Sequence, residues 1–244
     1  LCRCRDALRE HGAIDPFPIA QRDLPSRLEV PQKLYGRRRE SAQLEAAFDY
    51  IAQHPEIKDV LVSGGDPLSL SDDRLIAVVS ALRAIESVEI IRLCTRNPVT
   101  LPQRITPELV ERLRPLHPVF VSTHFNHPRE CTPEAGSALE RLADAGVSVG
   151  NQMVLLAGIN DDVDTVEALN RWLLRHRCRP YYMFQCDAVQ GSAHLRTPLS
   201  AGLEIIDQLR GRISGLAIPH FAVDLPGGGG KITLTPDRLV RREG

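Results

Sequence analysis

The stretch VEIIRLCTRNPVTLPQRITPELVERLRPLHPVFVST, residues 88–123, contains one complete strand–helix–strand unit. Residues 88–94 are a short run rich in Val, Ile and Leu, which predicts a buried strand. Thr106, Pro107 and Glu108 form a helix-start signal, because threonine caps the first turn and proline fits its first position. A second apolar run follows at 119–122. The unit predicts two parallel strands joined by an outer helix.

The same alternation continues on both sides of this unit. Further strands are predicted at 59–63, 147–156, 181–185 and 216–223. Helices are predicted at 40–54, 71–85, 132–146, 160–176 and 198–212. This order is typical of an α/β protein with a parallel sheet buried under helices. Polar residues follow successive strands, which favours a TIM-like barrel whose site lies at the carboxyl ends of the strands.

Composition narrows the class of protein. The 244 residues are 43% hydrophobic and 25% charged, which excludes a disordered chain. Lys plus Arg number 30 against 31 Asp plus Glu, so bulk charge gives no support for nucleic-acid binding. No apolar run reaches the roughly 18 residues that a membrane span needs. We expect a soluble, cytoplasmic protein with a small-molecule partner, and a homo-oligomer is left open.

The glycine loop before Lys231 is the first candidate site. Residues 227–231 read GGGGK, and Ile232 rules out the P-loop pattern, which needs Ser or Thr there. A lysine on such a loop is able to form a Schiff base with an aldehyde cofactor, or it is a solvated side chain. Asp187 and Asp224 end two late strands and either hold an ammonium group or cap loops.

Other polar residues give weaker signals. Ser63, Gly64, Gly65 and Asp66 follow a buried strand and form either a ligand-binding turn or an ordinary capped turn. His124 lies just after another strand. Arg37 opens a run of three arginines, which is either a solvated face or a source of one bidentate carboxylate clamp.

Taken together and in order, the motifs resemble one family. They are SGGD (63–66), LPQRITPEL (101–109), THFNHP (123–128), GNQMVLL (150–156), RPYYMFQCD (179–187), HLRTP (194–198) and DLPGGGGK (224–231). The series is similar to the radical S-adenosylmethionine enzymes of the lysine 2,3-aminomutase family, over roughly residues 37–240. The resemblance implies a partial TIM-like (βα)6 barrel and a 1,2-amino shift that converts L-lysine to β-lysine.

The resemblance also implies roles for individual residues. Lys231 would carry pyridoxal 5′-phosphate as a Schiff base, in a pocket lined by Tyr182. Asp187 and Asp224 would grip the side-chain ammonium of lysine, and Arg37 would bind its carboxylate. S-adenosyl-L-methionine would be held by Ser63, Gly64, Gly65, Asp66, His124 and Gln152. Two aspartates would repel a carboxylate side chain, which favours lysine over glutamate.

The chain departs from the family just before Arg37. The family places three cluster-binding cysteines there as C-x-x-x-C-x-x-C, whereas residues 28–36 read LEVPQKLYG. The ligands for a 4Fe–4S cluster are therefore missing, no metal site is predicted, and we expect the polypeptide as written to lack mutase activity. Residues 1–36 read as a divergent segment in which we expect no strand, and residues 37–244 read as the barrel with its lysine loop.

Two explanations of this departure stay open. In one, the reading frame is shifted upstream of Arg37, because codons for Lys-Leu-Tyr-Gly (33–36) can encode Asn-Cys-Thr in another frame. In the other, the chain is a divergent, non-radical barrel that binds pyridoxal phosphate or uses Lys231 as a Schiff-base lysine. A non-catalytic cofactor-binding or interaction protein is a third class.

Overall fold

One mostly parallel sheet organises the chain. The computed structural model describes residues 27–29, 37–225 and 229–236. Its strands join side by side in chain order. They are β1 (Arg27–Glu29), β2 (Asp59–Ser63), β3 (Ile90–Cys94), β4 (Val119–Thr123), β5 (Ser148–Leu155), β6 (Cys178–Gln185), β7 (His220–Asp224) and β8 (Lys231–Leu234).

Helices follow most of the strands. Within the described residues they are α1 (Arg37–Gln53), α2 (Asp72–Arg83), the single turn α3 (Asn97–Thr100), α4 (Pro107–Leu113), α5 (Pro133–Asp144), α6 (Val163–Arg175) and α7 (Leu199–Leu209). The predicted caps are confirmed at Thr106 and Thr132, whose hydroxyls accept hydrogen bonds from backbone N–H groups at 3.2 Å. Ser71 precedes α2 as predicted, but its hydroxyl makes no capping bond.

The core lies between the helices and one face of the sheet. Val60 and Val62 of β2 and Ile91 and Leu93 of β3 are buried, whereas alternate residues on these strands are only half-buried. The half-buried face, which carries Asp59, Arg92 and Tyr182, is called the inner face below. Burial on one face only differs from the prediction, because the curled sheet leaves its inner face open to a lumen rather than covered by helices.

The pairing confirms the partial barrel and adds one antiparallel strand to it. Strands β1 to β7 pair in parallel, each with its neighbour in sequence. β8, which was not predicted, runs antiparallel to β7, with Asp224 and Lys231 as register partners. A parallel connection needs about a dozen residues, and the stretch between these two residues is too short for one. β7 and β8 therefore form a hairpin.

Two other predictions need correction. Residues 27–29 were expected to form no strand, yet they pair in parallel with Leu61–Ser63, because a short edge strand needs only register and not an apolar pattern. The strand predicted at 216–223 starts late, at His220, since Gly215–Ala217 forms a 3₁₀ turn capped by the Ser214 hydroxyl. The proposed boundary between residues 36 and 37 stays a prediction.

Candidate functional site

The turn after β2 is tied to the turn after β3 through one carboxylate. Gly64 and Gly65 have φ of +97° and +93°, a backbone conformation that favours glycine. Asp66 then accepts hydrogen bonds from the Thr95 hydroxyl at 2.6 Å and the Arg96 backbone N–H at 2.7 Å. It also accepts from the Leu68 N–H and the Asn97 amide. These four donors fill the acceptor capacity of the Asp66 carboxylate. Asp66 therefore holds the two turns in position.

Arg96 connects this turn to the loop after β4. Its guanidinium donates to a Glu130 oxygen at 2.7 Å and to the His124 carbonyl oxygen at 3.3 Å. The other Glu130 oxygen accepts from the backbone N–H groups of Asn126 and His127. The sequence placed Arg96 among the polar residues that follow the strands but assigned it no role, and Glu130 was missed.

His124 directly follows β4, and Gln152 lies next to it within the neighbouring strand β5. Burial lowers the pKa of His124, and the nearby Arg96 charge lowers it further, while a hydrogen bond with the Gln152 backbone acts in the opposite direction. His124 is therefore a neutral imidazole at pH 7, able to donate one hydrogen bond and to accept another. The structure brings these two predicted ligand residues into contact.

Lys231 and Asp224 face each other across the final hairpin. They are register partners of β8 and β7, and Lys231 Nζ lies 3.8 Å from Asp224 Oδ1. The same Nζ lies 3.9 Å from the centroid of the Phe184 ring and 4.6 Å from the centroid of the Tyr182 ring. The two rings stack with centroids 5.1 Å apart. Sequence reasoning found Lys231, Asp224 and Tyr182 and missed Phe184, which the two-residue period of β6 places on the same face as Tyr182.

Tyr182 remains protonated over the whole neutral range. Burial raises its pKa to about 12, with smaller contributions from the Tyr181 hydroxyl and the Asp224 charge, while Arg92 opposes the rise. Arg92 itself pairs with Asp59 through two bonds of 2.9 and 2.6 Å. Sequence reasoning also missed this ion pair of the inner face, because a single arginine at the third position of an apolar strand gave no signal of a pairing partner.

The remaining predicted residues are less defined. Asp187 lies in the exposed loop after β6. Phe184 of β6 pairs with Ala222 of β7, and counting two residues further along each chain from this pair reaches Cys186 and Asp224. Asp187 is thus one residue beyond that level. Arg37 begins α1, but its side chain lies outside the described residues. The ligand roles of all these residues stay predictions.

The described part of the chain holds no set of neighbouring thiolates. Clusters are held by neighbouring thiolates. The described cysteines, Cys94, Cys131, Cys178 and Cys186, are scattered, and no group of three or more metal-binding side chains occurs in the described part of the chain. Residues 30–36 lie outside the described residues and contain no cysteine in sequence. Among the described residues, no helix is long and apolar enough to cross a membrane.

Comparison with known proteins identifies the fold and then the family. The structure superposes on a radical SAM methyltransferase from Sphaerobacter thermophilus with a TM-score of 0.55 and 17% identity, covering 79% of this chain and 60% of that one. The fold is therefore that of the radical SAM class. The family model for lysine-2,3-aminomutase matches residues 206–243. An L-lysine 2,3-aminomutase from Fusobacterium nucleatum is 54% identical over 81% of this chain. The matched part of the chain belongs to the lysine 2,3-aminomutase family.

The relatives are longer than this chain and differ in substrate. The chain spans about half the length of the relatives it matches, 47% of the Fusobacterium nucleatum protein and 48% of a glutamate 2,3-aminomutase from Clostridioides difficile. The latter is 50% identical over 82% of this chain. Overall identity therefore does not separate a lysine substrate from a glutamate substrate, and the site residues must be used for that purpose.

Proposed function

We propose that this chain is the cofactor- and amino-acid-binding barrel of the aminomutase family, with a site for lysine or a closely related diamino acid. The observation that carries the proposal is the cluster at the final hairpin. Lys231 lies beside Asp224 and over the Tyr182 and Phe184 rings, in a chain about half identical to lysine 2,3-aminomutases.

Lys231 is the residue that would hold pyridoxal 5′-phosphate. Its side chain is 34% exposed and extends from a paired strand, so an aldehyde can reach the amine while the backbone stays fixed. Bound pyridoxal phosphate supplies an electron sink for chemistry at an amino group. The Tyr182 and Phe184 rings give a flat apolar wall beside Lys231 that suits an aromatic cofactor and excludes water.

The acidic side chains favour a substrate with a side-chain ammonium. Asp224 ends β7 beside the lysine, and Asp187 follows the neighbouring strand β6. A glutamate side chain would meet like charge at both positions, at a cost that lysine avoids. Arg37 is proposed as the partner of the substrate carboxylate, by its match to the family motif.

The turn after β2, His124 after β4 and Gln152 within β5 are proposed to bind S-adenosyl-L-methionine. Gly65 is exposed, and a Cβ built on it would meet no atom within 4 Å, so a ligand can approach the Ser63–Gly65 backbone closely. Neutral His124 offers a hydrogen bond without adding charge near a sulfonium. Asp66 is proposed to hold this turn in place for the ligand.

No cluster-dependent step is assigned to this chain. Residues 28–36 lack the thiolates that the family uses, and the described cysteines do not replace them. The polypeptide as written is therefore proposed to bind its ligands without catalysing the amino shift. The same observation favours a second candidate function, a pyridoxal-phosphate-binding barrel without radical chemistry. Sequencing the DNA in all frames upstream of Arg37 separates a frame error from real divergence.

The lysine content allows a direct test of cofactor attachment. The chain has three lysines, at 33, 58 and 231. Pyridoxal phosphate is added, the Schiff base is reduced with borohydride, and the modified peptide is identified by mass spectrometry. We expect modification of Lys231 and loss of the visible absorbance band in Lys231→Ala. Lys58→Ala is the matched control, since Lys58 is an exposed lysine that directly precedes β2, and it should keep the band. Labelling spread over all lysines would contradict the proposal.

A further inference from the structure

A side-chain amide continues the pairing of β4 with β5 after the backbone ladder ends. The last register pair of these two strands is Thr123 with Asn151. Two residues after Thr123, the backbone N–H of Phe125 donates to Asn151 Oδ1 at 2.7 Å, and the Phe125 carbonyl oxygen accepts from Asn151 Nδ2 at 2.9 Å. Both residues are buried, so solvent is not at hand to replace either bond. The amide therefore fixes the backbone directly after His124.

Two more asparagines hold the next residue of the same loop. β5 continues to Leu155, beyond its pairing with β4. In this part of β5 the Val154 N–H donates to Asn126 Oδ1 at 2.8 Å, and the Val154 carbonyl oxygen accepts from Asn160 Nδ2 at 2.9 Å. Asn160 Nδ2 also donates to the Asn126 carbonyl oxygen at 2.8 Å, and Asn160 Oδ1 accepts the Leu156 N–H at 2.7 Å. Side-chain amides thus satisfy main-chain groups that a neighbouring strand would otherwise satisfy.

These bonds hold the loop that carries His124 against the strand that carries Gln152. The His124 ring is hydrogen-bonded to the Gln152 backbone, and Gln152 directly follows Asn151. Strand β5 therefore supplies both the amide that fixes Phe125 and the backbone group that meets the imidazole. Because a hydrogen bond depends on distance and angle, the imidazole keeps this contact only while the loop stays in place on β5.

We propose that Asn151 and Asn160 are positioning residues that hold the His124 imidazole against Gln152 and thereby tune the binding of S-adenosyl-L-methionine. The inference rests on the proposed function, which assigns His124 and Gln152 to that ligand. Both asparagines act through other residues, because their amides are buried and bonded to main-chain groups. A binding group is effective only when its supporting bonds keep it within about 0.5 Å of the productive geometry.

Asn170 offers a comparison that separates positioning from stability alone. It is buried on α6, and its amide nitrogen donates to the Ala217 carbonyl oxygen at 2.9 Å. Neither partner belongs to the loop after β4 or to β5. Loss of the Asn170 amide should therefore destabilise the protein without changing the surroundings of His124.

An NMR titration of the His124 ring in the ligand-free protein tests the positioning directly. Burial is the main reason that the pKa of His124 lies below 6.5. Asn151→Ala and Asn160→Ala add no charge, and we expect each to move this pKa toward 6.5, because a loosened loop lets water reach the ring. Asn170→Ala should leave the pKa of His124 unchanged while it lowers the melting temperature. His124→Gln identifies the resonance.

A milder variant keeps the test decisive if a buried substitution prevents folding. Asn126 is only half-buried, and Asn126→Ala removes the acceptor for the Val154 N–H while the amides of Asn151 and Asn160 remain. We expect a shift of the His124 pKa in the same direction. A thermal melt checks that each variant is folded before its pKa is compared.

Calorimetric titration with S-adenosylhomocysteine measures the effect on the ligand site. We expect the dissociation constant to rise about five- to tenfold in Asn151→Ala and Asn160→Ala, the change that corresponds to one lost hydrogen bond. Asn170→Ala is the matched control and should keep the wild-type affinity, since its amide lies outside the loop and strand that carry the ligand residues.

The two measurements separate this inference from the proposed function. If the wild type fails to bind S-adenosylhomocysteine, the proposed ligand is rejected, and the pKa of His124 alone decides whether the asparagines position that ring. An unchanged His124 pKa in the folded loop variants, or an equal shift in Asn170→Ala, would overturn the inference. Wild-type ligand affinity in both Asn151→Ala and Asn160→Ala would overturn it as well.

Discussion

Arg96 and Glu130 lie 2.7 Å apart and join the turn after β3 to the loop after β4. Glu130 is 23% exposed and also accepts the Asn126 N–H at 2.6 Å, so its carboxylate closes the loop that carries His124. A partly buried carboxylate that satisfies two kinds of donor contributes more than an isolated surface ion pair. The carboxyl edge of the sheet is thus held together by side-chain bonds as well as by the strands.

Replacing Glu130 by Gln should destabilise this edge. The amide keeps one acceptor but turns an NH₂ group toward either Arg96 or the backbone donors, so we expect a loss of about 1–3 kcal/mol in the free energy of unfolding, measured in urea. Glu111→Gln is the matched control, because Glu111 pairs with Arg114 on an exposed helix surface at 2.8 Å. That change should leave the free energy of unfolding almost unchanged, because solvent screens an exposed ion pair. Equal effects of the two substitutions would contradict the role of Glu130.

His124 should titrate below its ordinary pKa of 6.5, because it is buried and close to the Arg96 charge. The unfolded chain then binds a proton more readily than the native one, so stability should fall as the pH drops through about 6.5. Arg96→Met removes this charge and should therefore raise the pKa of His124, which is measured by NMR of the imidazole ring. A His124 pKa that does not move in Arg96→Met would contradict the contact.

Much of the fold was predictable because its signals are local. The strand at 59–63 and the caps at Thr106 and Thr132 depend on apolar runs and on side chains within a few residues, and the structure reproduces them. β1 and β8 were missed for a physical reason. Each is three or four residues long and is stabilised by pairing with a distant strand, which no local pattern encodes.

The sequence identified most residues of the candidate site, but not which of them lie in contact with one another. The hairpin that sets Lys231 opposite Asp224 depends on an antiparallel turn, and the prediction of a parallel sheet gave no reason to pair them. Phe184 was overlooked because its apolar character suited a buried strand equally well. Asp66 was expected either to contact a ligand or to cap an ordinary turn, and it does cap the turn by accepting from the Leu68 N–H. Its other hydrogen bonds run to the neighbouring loop, and such long-range bonds can be predicted only when strand order is known.

Gly202 on α7 should not tolerate a side chain. A methyl group there would overlap the Phe221 ring of β7, which is itself buried, so helix and sheet would have to separate. Alanine improves helix propensity by about 1 kcal/mol, and overpacking costs about 1–3 kcal/mol, so Gly202→Ala should be destabilising overall. Gly215→Ala is the control, since a Cβ there meets no atom within 4 Å. A melting temperature unchanged in Gly202→Ala would show that α7 packs differently.

Tyr182 should ionise late in an alkaline titration. Its folded pKa is raised to about 12 from 10.0, chiefly by burial, so its phenolate absorbance should appear well after that of exposed tyrosines. Because the unfolded chain loses this proton first, the stabilising contribution is complete below about pH 10 and is lost as the pH rises through 12. Tyr182→Phe identifies the band, and a Tyr182 transition near pH 10 would refute the assignment.

Asp66→Asn distinguishes a positioning role from a direct ligand role. The asparagine amide presents an NH₂ group to the Thr95 hydroxyl or the Arg96 N–H, both of which donate to the wild-type carboxylate. One buried donor is left without an acceptor, at a cost of about 1–3 kcal/mol in the free energy of unfolding. If Asp66 acts mainly on a ligand, the free protein should instead keep its stability and lose only affinity for S-adenosylhomocysteine. Urea unfolding of ligand-free Asp66→Asn separates these two results, and we expect the loss of stability. Asp73→Asn, at the exposed start of α2, is the matched control.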